Sequence, residues 1–292
     1  MLRLALPKGS LEEQTLALLE AADLPLRRGS SRDYHGRIAD ARIERVSLLR
    51  PQEIPRFVED DFFDLGVTGR DWVVETGVNV VELASLDYAR SGTGQGVKIV
   101  LAVAVDHPAN RAAELEPGSR ISTEYPSLTQ AYFERLGRPM RVFPSYGATE
   151  AKVPGIVDAI VDVTETGSTL RAHGLKVIET LLESEVLLIA GPAAARDPAR
   201  RVAMEEIATI LVGALRAQGR VLLKLNVGEA DLARVLGVLP AMKAPTVSPL
   251  AAGGGYAVET VVEKRVVNTL IPSLRSHGAT DILELPIRKI IP

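Results

Sequence analysis

Short apolar strands alternate with helical segments near the start of the chain, and this order limits the possible fold more than any other feature. Leu2 to Ala5 is an apolar run, and Ser10 with Glu13 has the spacing of a capping box that opens a helix. The alternation continues with strands predicted at Ile43 to Leu49, Leu65 to Val67 and Asn79 to Leu83, and with helices at Pro51 to Glu59 and around Trp72. An alternation of this kind predicts an α/β sheet that binds ligands at its strand ends.

A second alternation follows a glycine-rich segment. Ser91 to Gly96 is predicted to be a linker, because no helix start follows it as a phosphate loop would require. The next unit begins with a strand at Lys98 to Val105 and continues through a helix at 127–136 and strands at 141–143 and 160–163. Leu175 to Ile189 is again apolar, as expected where a chain returns from an inserted domain. We therefore predict a first lobe at residues 1–93, completed by 181–196, and a second lobe at 94–180.

The C-terminal part has a different order of elements. A helical connector is predicted at 197–218, and Gly219 ends it. Residues 219–292 then read as strand, helix, strand, strand, helix and strand, with Ala251 to Gly255 as the turn between the middle strands. This is the ferredoxin-like order, which is common among amino-acid sensors but does not establish that role by itself.

The composition excludes several classes of function. With 34 basic residues, 37 acidic residues, a net charge of -3 and 4% aromatic residues, the chain lacks the basic, aromatic surface typical of nucleic-acid binding. It has no cysteine, which excludes disulfides, thiolate zinc sites and cysteine nucleophiles. Its histidines are scattered and indicate neither a general base nor a metal site. No secretion signal or long uncharged apolar run is present, so we expect a cytoplasmic protein without a membrane partner.

The segment Ile160 to Leu170 carries the clearest chemistry, because an apolar strand runs into a Thr-Gly-Ser-Thr turn before a helix. Gly167 permits a positive φ and lets a phosphate approach the backbone closely. Successive N–H groups and the hydroxyls of Thr166, Ser168 and Thr169 can donate to phosphate oxygens at the start of the helix. The turn therefore suits the 5′-phosphate of a ribose.

Two acids precede this turn. Asp162 and Glu165 are placed to accept hydrogen bonds from ribose hydroxyls or to help hold Mg²⁺ on pyrophosphate oxygens. The same segment is also typical of an ordinary strand-to-helix turn capped by Thr or Ser. The residues by themselves leave both interpretations open.

Cationic residues follow several of the predicted strands. Lys8 comes after the first strand, Arg50 ends a later one, and Arg70 with Asp71 opens a helix after Thr68-Gly69. Arginine suits bidentate binding of phosphate, although surface salt bridges explain these positions as well. Asp71 is equally explained as an acid that stabilises a helix N-terminus.

Glu150 to Leu170 resembles the signature of the ATP phosphoribosyltransferases of histidine biosynthesis. Other segments resemble the same family in the same order, namely Leu2 to Ser10, Leu49 to Pro55, Asp64 to Asp71, Arg120 to Tyr125, Tyr146 to Glu150 and Pro245 to Leu250. The resemblance covers nearly the whole chain. It is closest to the long form of the family, which carries its own C-terminal regulatory domain.

The resemblance implies a bilobed catalytic part similar to periplasmic binding proteins and a ferredoxin-like regulatory domain. It implies that phosphoribosyl is transferred from phosphoribosyl pyrophosphate to N1 of ATP, with Mg²⁺ and with release of pyrophosphate. The loop from Asp162 to Thr169 is then expected to bind phosphoribosyl pyrophosphate, with Asp162 and Glu165 reaching the metal through the substrate. The residues expected to be catalytic are Lys8, Arg50, Arg70, Asp71 and Glu150.

The resemblance further implies inhibition by histidine and assembly of the chain into dimers and hexamers. The residues expected to line the histidine site are Asn226, Thr246, Ser248, Leu250 and Ala279. Polar groups that satisfy turns at strand ends explain several of these positions as well.

One alternative function uses the same architecture. A bilobed fold with an amino-acid-sensing tail suits a binding protein without catalysis. The sequence shows neither a DNA-binding module nor an export signal, which disfavours a transcription regulator and a periplasmic receptor. The Asp162–Thr169 loop also favours the enzyme, since a pure sensor does not need it.

Overall fold

The computed structural model describes residues 1–86, 88, 96–240, 244–251 and 253–291. Its strands are β1 (Leu2–Pro7), β2 (His35–Gly36), β3 (Ile43–Leu49), β4 (Leu65–Gly69), β5 (Val81–Ser85), β6 (Val97–Ala104), β7 (Arg120–Thr123), β8 (Arg141–Pro144), β9 (Ala159–Thr164), β10 (Leu175–Ser184), β11 (Val186–Ala190), β12 (Arg220–Gly228), β13 (Thr246–Pro249), β14 (Gly255–Glu263) and β15 (Ala279–Pro286). Its α-helices are α1 (Glu12–Ala21), α2 (Ile54–Glu59), α3 (Arg70–Thr76), α4 (Pro126–Arg135), α5 (Ser168–Ala172), α6 (Pro192–Arg196), α7 (Pro198–Ala217), α8 (Leu232–Val238) and α9 (Lys264–Ser276). The predicted linker at 91–95 and residue 252 of the predicted turn lie outside the described residues.

The first sheet has six strands in the order β2-β3-β1-β4-β11-β5. Strands β3, β1 and β4 are neighbours and run parallel, whereas β11 runs antiparallel to β4 and β5. Helix α2 packs on this sheet, with Ile54 and Val58 against Ala5, Leu187 and Ile189. Because β3, β1 and β4 are parallel, their carboxyl ends lie side by side at one edge of the sheet.

The second sheet has five strands in the order β10-β6-β9-β7-β8. Strands β9, β7 and β8 run parallel to one another, and β6 runs antiparallel to β9 and β10. Both faces are apolar, since Ile99 and Val161 belong to one buried cluster and Val100 and Ile160 to another. The carboxyl ends of β9, β7 and β8 therefore share one edge, as those of the first sheet do.

The chain passes directly from one sheet to the other at Glu185, which separates β10 from β11. Helix α3 follows a strand of the first sheet, yet its Trp72 is buried in the core of the second sheet. The two sheets thus share packing through α3. The lobe boundary predicted at 93/94 falls outside the described residues and stays a prediction.

The C-terminal sheet has four antiparallel strands in the order β13-β14-β12-β15. Helices α8 and α9 close its core, in which Leu223, Val235, Val258 and Leu274 are fully buried. The α/β class and the ferredoxin-like order of the tail are confirmed.

Contacts divide the chain into two compact units, Met1–Ala208 and Thr209–Pro292. No helix in the described ranges has the length and apolarity needed to cross a membrane.

Several predicted element starts are wrong. Helix α1 begins at Glu12 rather than Ser10, and the acid that reaches back to the chain is Glu12, whose Oε2 accepts the Gly9 N–H at 3.3 Å. Helix α2 begins at Ile54 rather than Pro51, because Pro55 occupies its first turn. The segment before it forms a turn in which the Pro51 carbonyl accepts the Thr68 hydroxyl at 2.7 Å. Strands β2 and β7 were not predicted as strands.

A buried carboxylate fixes the start of β4. Asp64 is 1% exposed, and its oxygens accept hydrogen bonds from the backbone and side chain of Arg3 and from Arg200 Nη1 at 3.0 Å. Burial pushes the pKa of this carboxyl upward, but the hydrogen bonds from Arg3 outweigh burial and hold the pKa below its usual value. The ionised form is therefore the one that stabilises the fold.

The Asp64→Asn variant is expected to lose about 2 kcal/mol of unfolding free energy at neutral pH, since charged hydrogen bonds are replaced by weaker ones. A folded-state pKa below the unfolded value gives stability that is present above about pH 4 and is lost as the pH falls through the folded pKa. The difference between variant and parent should therefore shrink in acid. Urea unfolding at neutral and acid pH measures it, with the exposed Asp60→Asn as control. A difference that stays constant with pH would contradict the role of the charge.

Candidate active site

The three predicted cations of the N-terminal part follow the carboxyl ends of neighbouring strands. Arg50 follows β3, Lys8 follows β1, and Arg70 follows β4, and these strands are adjacent and parallel. The Lys8 N–H donates to the Leu49 carbonyl at 2.6 Å, which keeps Lys8 and Arg50 close together. The structure thus brings these residues to the edge at which α/β sheets bind ligands.

Lys8 is held at this edge by polar neighbours. Its Nζ donates to the Ser31 carbonyl at 2.9 Å, lies 3.6 Å from Glu12 Oε1 and lies 5.2 Å from the centre of the Tyr34 ring. Glu12 therefore offsets part of the lysine charge but leaves the ammonium group partly accessible, since the Lys8 side chain is 24% exposed.

Arg28 is a further cation, beside Glu12, that the sequence analysis missed. Its Nη2 donates to Glu12 Oε1 at 2.8 Å, and its side chain is mostly buried. Within the described residues, Arg28 Nη1 is buried without a hydrogen-bond acceptor. A buried N–H group without an acceptor is costly, so an anionic ligand here would satisfy it. Nothing in the spacing of Arg27 and Arg28 signals this contact.

Arg50 and Arg70 differ in how far protein acids already neutralise them. Arg50 is exposed at the end of β3. Arg70 is paired with Glu185 at 2.6 Å and with Glu82 at 2.9 Å. The hydrogen bond to Glu185 raises the pKa of the Arg70 guanidinium above its usual value. Arg50 is therefore better placed than Arg70 to meet a substrate phosphate.

Asp71 is buried rather than open to a substrate. It is 1% exposed, its Oδ1 accepts the Ser184 hydroxyl at 2.7 Å, and its Oδ2 accepts the Tyr125 hydroxyl at 2.8 Å. Ser184 ends β10, Tyr125 follows β7, and Asp71 follows β4. Asp71 thus joins the carboxyl edge of the first sheet to that of the second. This geometry favours a structural role over the predicted contact with substrate.

The acid Glu75 strengthens this junction. Its carboxylate accepts the Ser127 and Leu128 N–H groups of α4 at 3.0 and 2.9 Å. These are free amides of a helix N-terminus, where a negative charge is favourable. Trp72 and Tyr125 also pack together, with ring centres 4.6 Å apart. The two carboxyl edges are therefore held together by α3.

The predicted phosphate loop lies at the carboxyl end of β9, on the edge of the second sheet. Gly167 has φ 72°, so the left-handed conformation expected of a phosphate-binding turn is present. Thr166 and Ser168 are exposed, and their hydroxyl oxygens are 3.0 Å apart. Thr169 is exposed in the first turn of α5.

The amides of this loop are not all free. The Gly167 N–H donates to Thr164 Oγ1 at 2.8 Å, and the Ser168 N–H lies 3.4 Å from Thr166 Oγ1. A bound phosphate oxygen would have to replace the Thr164 hydroxyl as the acceptor at Gly167. Helix α5 spans only 5 residues, so the loop amides and hydroxyls, more than the helix dipole, must hold an anion here.

A cavity of about 600 Å³ adjoins the loop. Its walls include Thr164 to Gly167 together with two cations that the sequence analysis missed, Lys98 and Arg171. Lys98 is opposite Thr164 in the β6–β9 pairing, and Arg171 lies one helical turn after Gly167. Glu165 and Glu183 also line the cavity, and Lys98 is paired with Glu183 at 3.4 Å, so Arg171 is the cation beside the loop that is better placed for a sugar phosphate.

The predicted acids of the second sheet lie near this cavity or beside its strand. Glu165 lines the cavity, and the Oδ1 of Asp162 accepts the Val163 N–H at 2.7 Å. Glu150 is half-buried in the short 3-10 turn Thr149–Lys152 after β8. These positions place all three acids on the second sheet at or near the carboxyl ends of β8 and β9.

Mg²⁺ needs oxygen donors, which a protein supplies either alone or together with a phosphate ligand. No group of three or more Asp, Glu or His side chains in the described ranges could hold a metal ion by itself. Mg²⁺ bound to a polyphosphate needs only one or two protein carboxylates and completes its shell with phosphate oxygens and water. Asp162 and Glu165, in and just after β9, are two carboxylates, which is the number that such a site needs.

The residues predicted to bind histidine fall on two faces of the C-terminal sheet. Ser248 and Asn226 are both paired with Ala257, and Thr246 shares their face, which is opposite the core. Ala279 belongs to the core side, and Leu250 follows β13. Ala279 also lines a cavity of about 480 Å³ with Arg275 and Asp281, which the sequence analysis missed. Asn226 reaches this cavity wall, since its Nδ2 donates to Asp281 Oδ2 at 2.9 Å.

Comparison with known proteins identifies the family of the chain. The family model described as ATP phosphoribosyltransferase matches residues 50–213, and the model of its C-terminal domain matches residues 217–289. The ATP phosphoribosyltransferase of Koribacter versatilis is 45% identical over 290 residues, which is 99% of this chain and 99% of that protein. That of Pelotomaculum thermopropionicum is 46% identical over 291 residues, covering 100% of this chain and 99% of the relative.

A solved structure is similar in sequence as well as in fold. The ATP phosphoribosyl transferase (HisG:HisZ) complex from Thermotoga maritima matches with a TM-score of 0.62 and 26% identity, over 73% of this chain and 98% of that chain. With two family models together spanning most of the sequence and relatives matched end to end, the chain belongs to the ATP phosphoribosyltransferase family, in the long form that carries the C-terminal domain.

Proposed function

We propose that the protein transfers the phosphoribosyl group of phosphoribosyl pyrophosphate to N1 of ATP and releases pyrophosphate, the first step of histidine biosynthesis. Family membership makes the chain a phosphoribosyltransferase. The observation that carries the detailed reaction is the Thr164–Thr169 turn, with Gly167 at φ 72° beside a cavity at the end of β9 that Arg171 also lines.

In the proposed reaction, the lone pair of adenine N1 forms a bond to C1′ of the ribose while the bond from C1′ to the pyrophosphate oxygen breaks. Positive charge develops on the ribose ring, so the transition state resembles an oxocarbenium ion. No covalent intermediate with the protein is needed. The protein contributes by aligning N1 with C1′ and by stabilising charge on the departing pyrophosphate.

The proposed roles follow from where the residues lie. The turn from Thr164 to Thr169 holds the 5′-phosphate, and Glu165 faces the ribose. Lys8, Arg28 and Arg50 form the opposite binding region, at the carboxyl edge of the first sheet. Their charges suit the phosphates of the two substrates. The junction at Asp71 keeps the two edges together.

We propose that Mg²⁺ binds together with phosphoribosyl pyrophosphate. Asp162 and Glu165 would hold the ion that phosphoribosyl pyrophosphate carries, and the bound ion supplies positive charge that stabilises the leaving pyrophosphate. Asp162 and Glu165 also accept hydrogen bonds from the ribose hydroxyls in this account, which fixes the orientation of the sugar.

The proposed reaction is tested by mixing the purified protein with ATP, phosphoribosyl pyrophosphate and Mg²⁺. We expect pyrophosphate to be released in step with an N1-substituted adenine nucleotide, detected by its ultraviolet spectrum and by mass. Omission of ATP is the control. Release of pyrophosphate without ATP, or no release at all, would contradict the proposal.

We further propose that histidine binds the C-terminal domain and inhibits the enzyme. The cavity beside Ala279 contains Arg275 and Asp281, and these two charges match the carboxylate and the ammonium group of an amino acid. Inhibition from such a site requires that histidine bind more tightly to a less active state of the protein.

The Asp281→Asn variant is expected to raise the histidine concentration for half inhibition about tenfold, because a charged hydrogen bond to the ammonium group is lost. The uninhibited rate should stay unchanged. The Glu284→Gln variant is the matched control, since Glu284 is an exposed acid on the same strand. Equal shifts in both variants, or none in either, would place the effector site elsewhere.

The assembly and the compartment are also proposed on the basis of the family. We propose that the chain forms dimers and hexamers in the cytoplasm, as the long form of the family implies. Analytical ultracentrifugation with and without histidine tests the assembly. A monomer at all concentrations would contradict it.

A further inference from the structure

A lysine outside the phosphate loop lies among buried hydroxyls. Lys152 ends the short turn after β8, and its Nζ donates to Ser122 Oγ at 3.2 Å and to Ser145 Oγ at 2.5 Å. Ser145 Oγ also lies 2.7 Å from Thr149 Oγ1. The three hydroxyl residues Ser122, Ser145 and Thr149 are at most 5% exposed. Lys152 and these three residues are called the Lys152 cluster below.

The charge of Lys152 is not offset by an acid. Every polar contact that the described part of the chain gives to its ammonium group is with a hydroxyl. Lys8, Lys98 and Lys224, in contrast, each lie within 4 Å of a glutamate carboxylate. A partly buried ammonium group whose partners in the described part of the chain are all neutral hydroxyls has no counter-ion there, which favours a bound anion.

The hydrogen-bond directions make the cluster a set of donors. An ammonium group can only donate, so Ser122 Oγ and Ser145 Oγ must accept from Lys152. The hydroxyl proton of Ser122 is therefore available to donate to a ligand, whereas that of Ser145 already has an acceptor in the Gly147 carbonyl at 3.4 Å or in Thr149 Oγ1 at 2.7 Å. One N–H of Lys152 also remains after these two bonds. A cluster built of donors around a positive charge suits the oxygens of a phosphate group.

The Lys152 cluster lies on the same face of the sheet as Asp162. Ser122 is paired with Ile160, and Asp162 is two residues further along β9. Ile160 faces away from the core cluster that contains Val161, so Ser122, Ile160 and Asp162 share the opposite face. From strand spacing and rise, the backbone of Ser122 is about 8 Å from that of Asp162. A substrate that reaches the Asp162–Thr169 loop is therefore within reach of the cluster.

We propose that the Lys152 cluster is a binding subsite for a polyphosphate group, a further positioning element beside the phosphoribosyl loop. This inference rests on the proposed function, which supplies two sources of that group. One is the pyrophosphate of phosphoribosyl pyrophosphate, and the other is the triphosphate of ATP. The shared chemistry is a chain of phosphoryl groups, and a single sugar phosphate does not need the cluster.

The test measures binding to the full chain by calorimetry in the presence of Mg²⁺. The probes are inorganic pyrophosphate, inorganic tripolyphosphate and ribose 5-phosphate. The variant Lys152→Met removes the charge and keeps the length of the side chain, and Lys152→Arg keeps the charge. The matched control is Lys176→Met, because Lys176 lies on β10 of the same sheet and, among the residues that the structure describes, donates to Asn110 Oδ1 alone, at 3.1 Å.

The expected result is at least a tenfold loss of affinity for pyrophosphate or tripolyphosphate in Lys152→Met. Ribose 5-phosphate should bind as in the parent, Lys152→Arg should recover part of the loss, and Lys176→Met should bind all three probes normally. A larger loss for pyrophosphate assigns the subsite to phosphoribosyl pyrophosphate, and a larger loss for tripolyphosphate assigns it to ATP. Unchanged affinity for both polyphosphates, or an equal loss of ribose 5-phosphate, overturns the proposal.

A second variant covers the case in which Lys152→Met fails to fold. Ser122→Ala keeps the lysine and removes one donor, and we expect it to weaken binding of the same polyphosphate about threefold. Unchanged binding in Ser122→Ala overturns the proposal by itself. Binding is measured without turnover, so the proposed reaction and the proposed subsite can be refuted separately. A parent protein that makes no pyrophosphate refutes the reaction, whereas a normal parent with an insensitive Lys152→Met refutes only the subsite.

Discussion

The Gly167→Ala variant is expected to bind ribose 5-phosphate at least tenfold more weakly than the parent, whereas Gly174→Ala should bind it normally. Both glycines have nearly the same left-handed backbone, with φ 72° at Gly167 and 71° at Gly174. Alanine in this conformation costs about 1 kcal/mol at either position. A Cβ at Gly167 would lie 2.9 Å from Arg171 Nη1, whereas a Cβ at Gly174 would have no atom within 4 Å.

The two variants should thus lose similar stability and differ only in binding. At Gly167 the added methyl group displaces Arg171 and occupies the space that a phosphate needs beside the backbone. Calorimetry with ribose 5-phosphate measures the affinity, and thermal unfolding measures the stability. If Gly167→Ala binds as tightly as Gly174→Ala, the loop does not hold the phosphate.

Replacing Asp71 by alanine should produce the largest loss of stability, about 3 kcal/mol of unfolding free energy. The variant leaves the buried hydroxyls of Tyr125 and Ser184 without their acceptor, and each such group costs about 1–3 kcal/mol. Tyr125→Phe removes one donor together with its bond and should cost only about 1 kcal/mol. Because Asp71 joins the two carboxyl edges, the rate should fall at least tenfold as well.

The Asp71→Asn variant separates this structural role from the predicted catalytic one. If Asp71 is a junction residue, the variant protein should lose stability and activity together. An Asp71→Ala/Tyr125→Phe double-mutant cycle should then show coupling between the two positions. A residue that acts on the substrate should lose activity with little change in stability. Urea unfolding and steady-state kinetics distinguish the two, with Asp60→Ala as an exposed control. Stability equal to that of the control would contradict the junction.

Local patterns in the sequence were enough to predict most strands. Ile43–Leu49 and Thr246–Pro249 have the predicted bounds, because short runs with β-branched residues, close to proline or other turn residues, favour strands. The starts of α1 and α2 were wrong because they depend on which acid or proline meets the chain in three dimensions. Glu12 takes the contact predicted for Glu13, and Pro55 takes the position predicted for Pro51.

The candidate site was predictable only in part. The Thr-Gly-Ser-Thr turn holds its backbone N–H groups and hydroxyls within one short segment, so its position after β9 could be predicted from the sequence. Asp71 has partners 54 and 113 residues away, which no periodicity indicates. Arg28 is a candidate because its Nη1 is buried without an acceptor among the described residues, and Lys152 because it contacts buried hydroxyls. Both environments exist only in the folded chain.

The most direct test of the whole account is a crystal structure of the protein with phosphoribosyl pyrophosphate and Mg²⁺ bound. We expect the 5′-phosphate to accept hydrogen bonds from the backbone between Gly167 and Thr169 in place of the Thr164 hydroxyl, with the ribose beside Glu165. A phosphate bound elsewhere while Gly167 still donates to Thr164 would contradict the account.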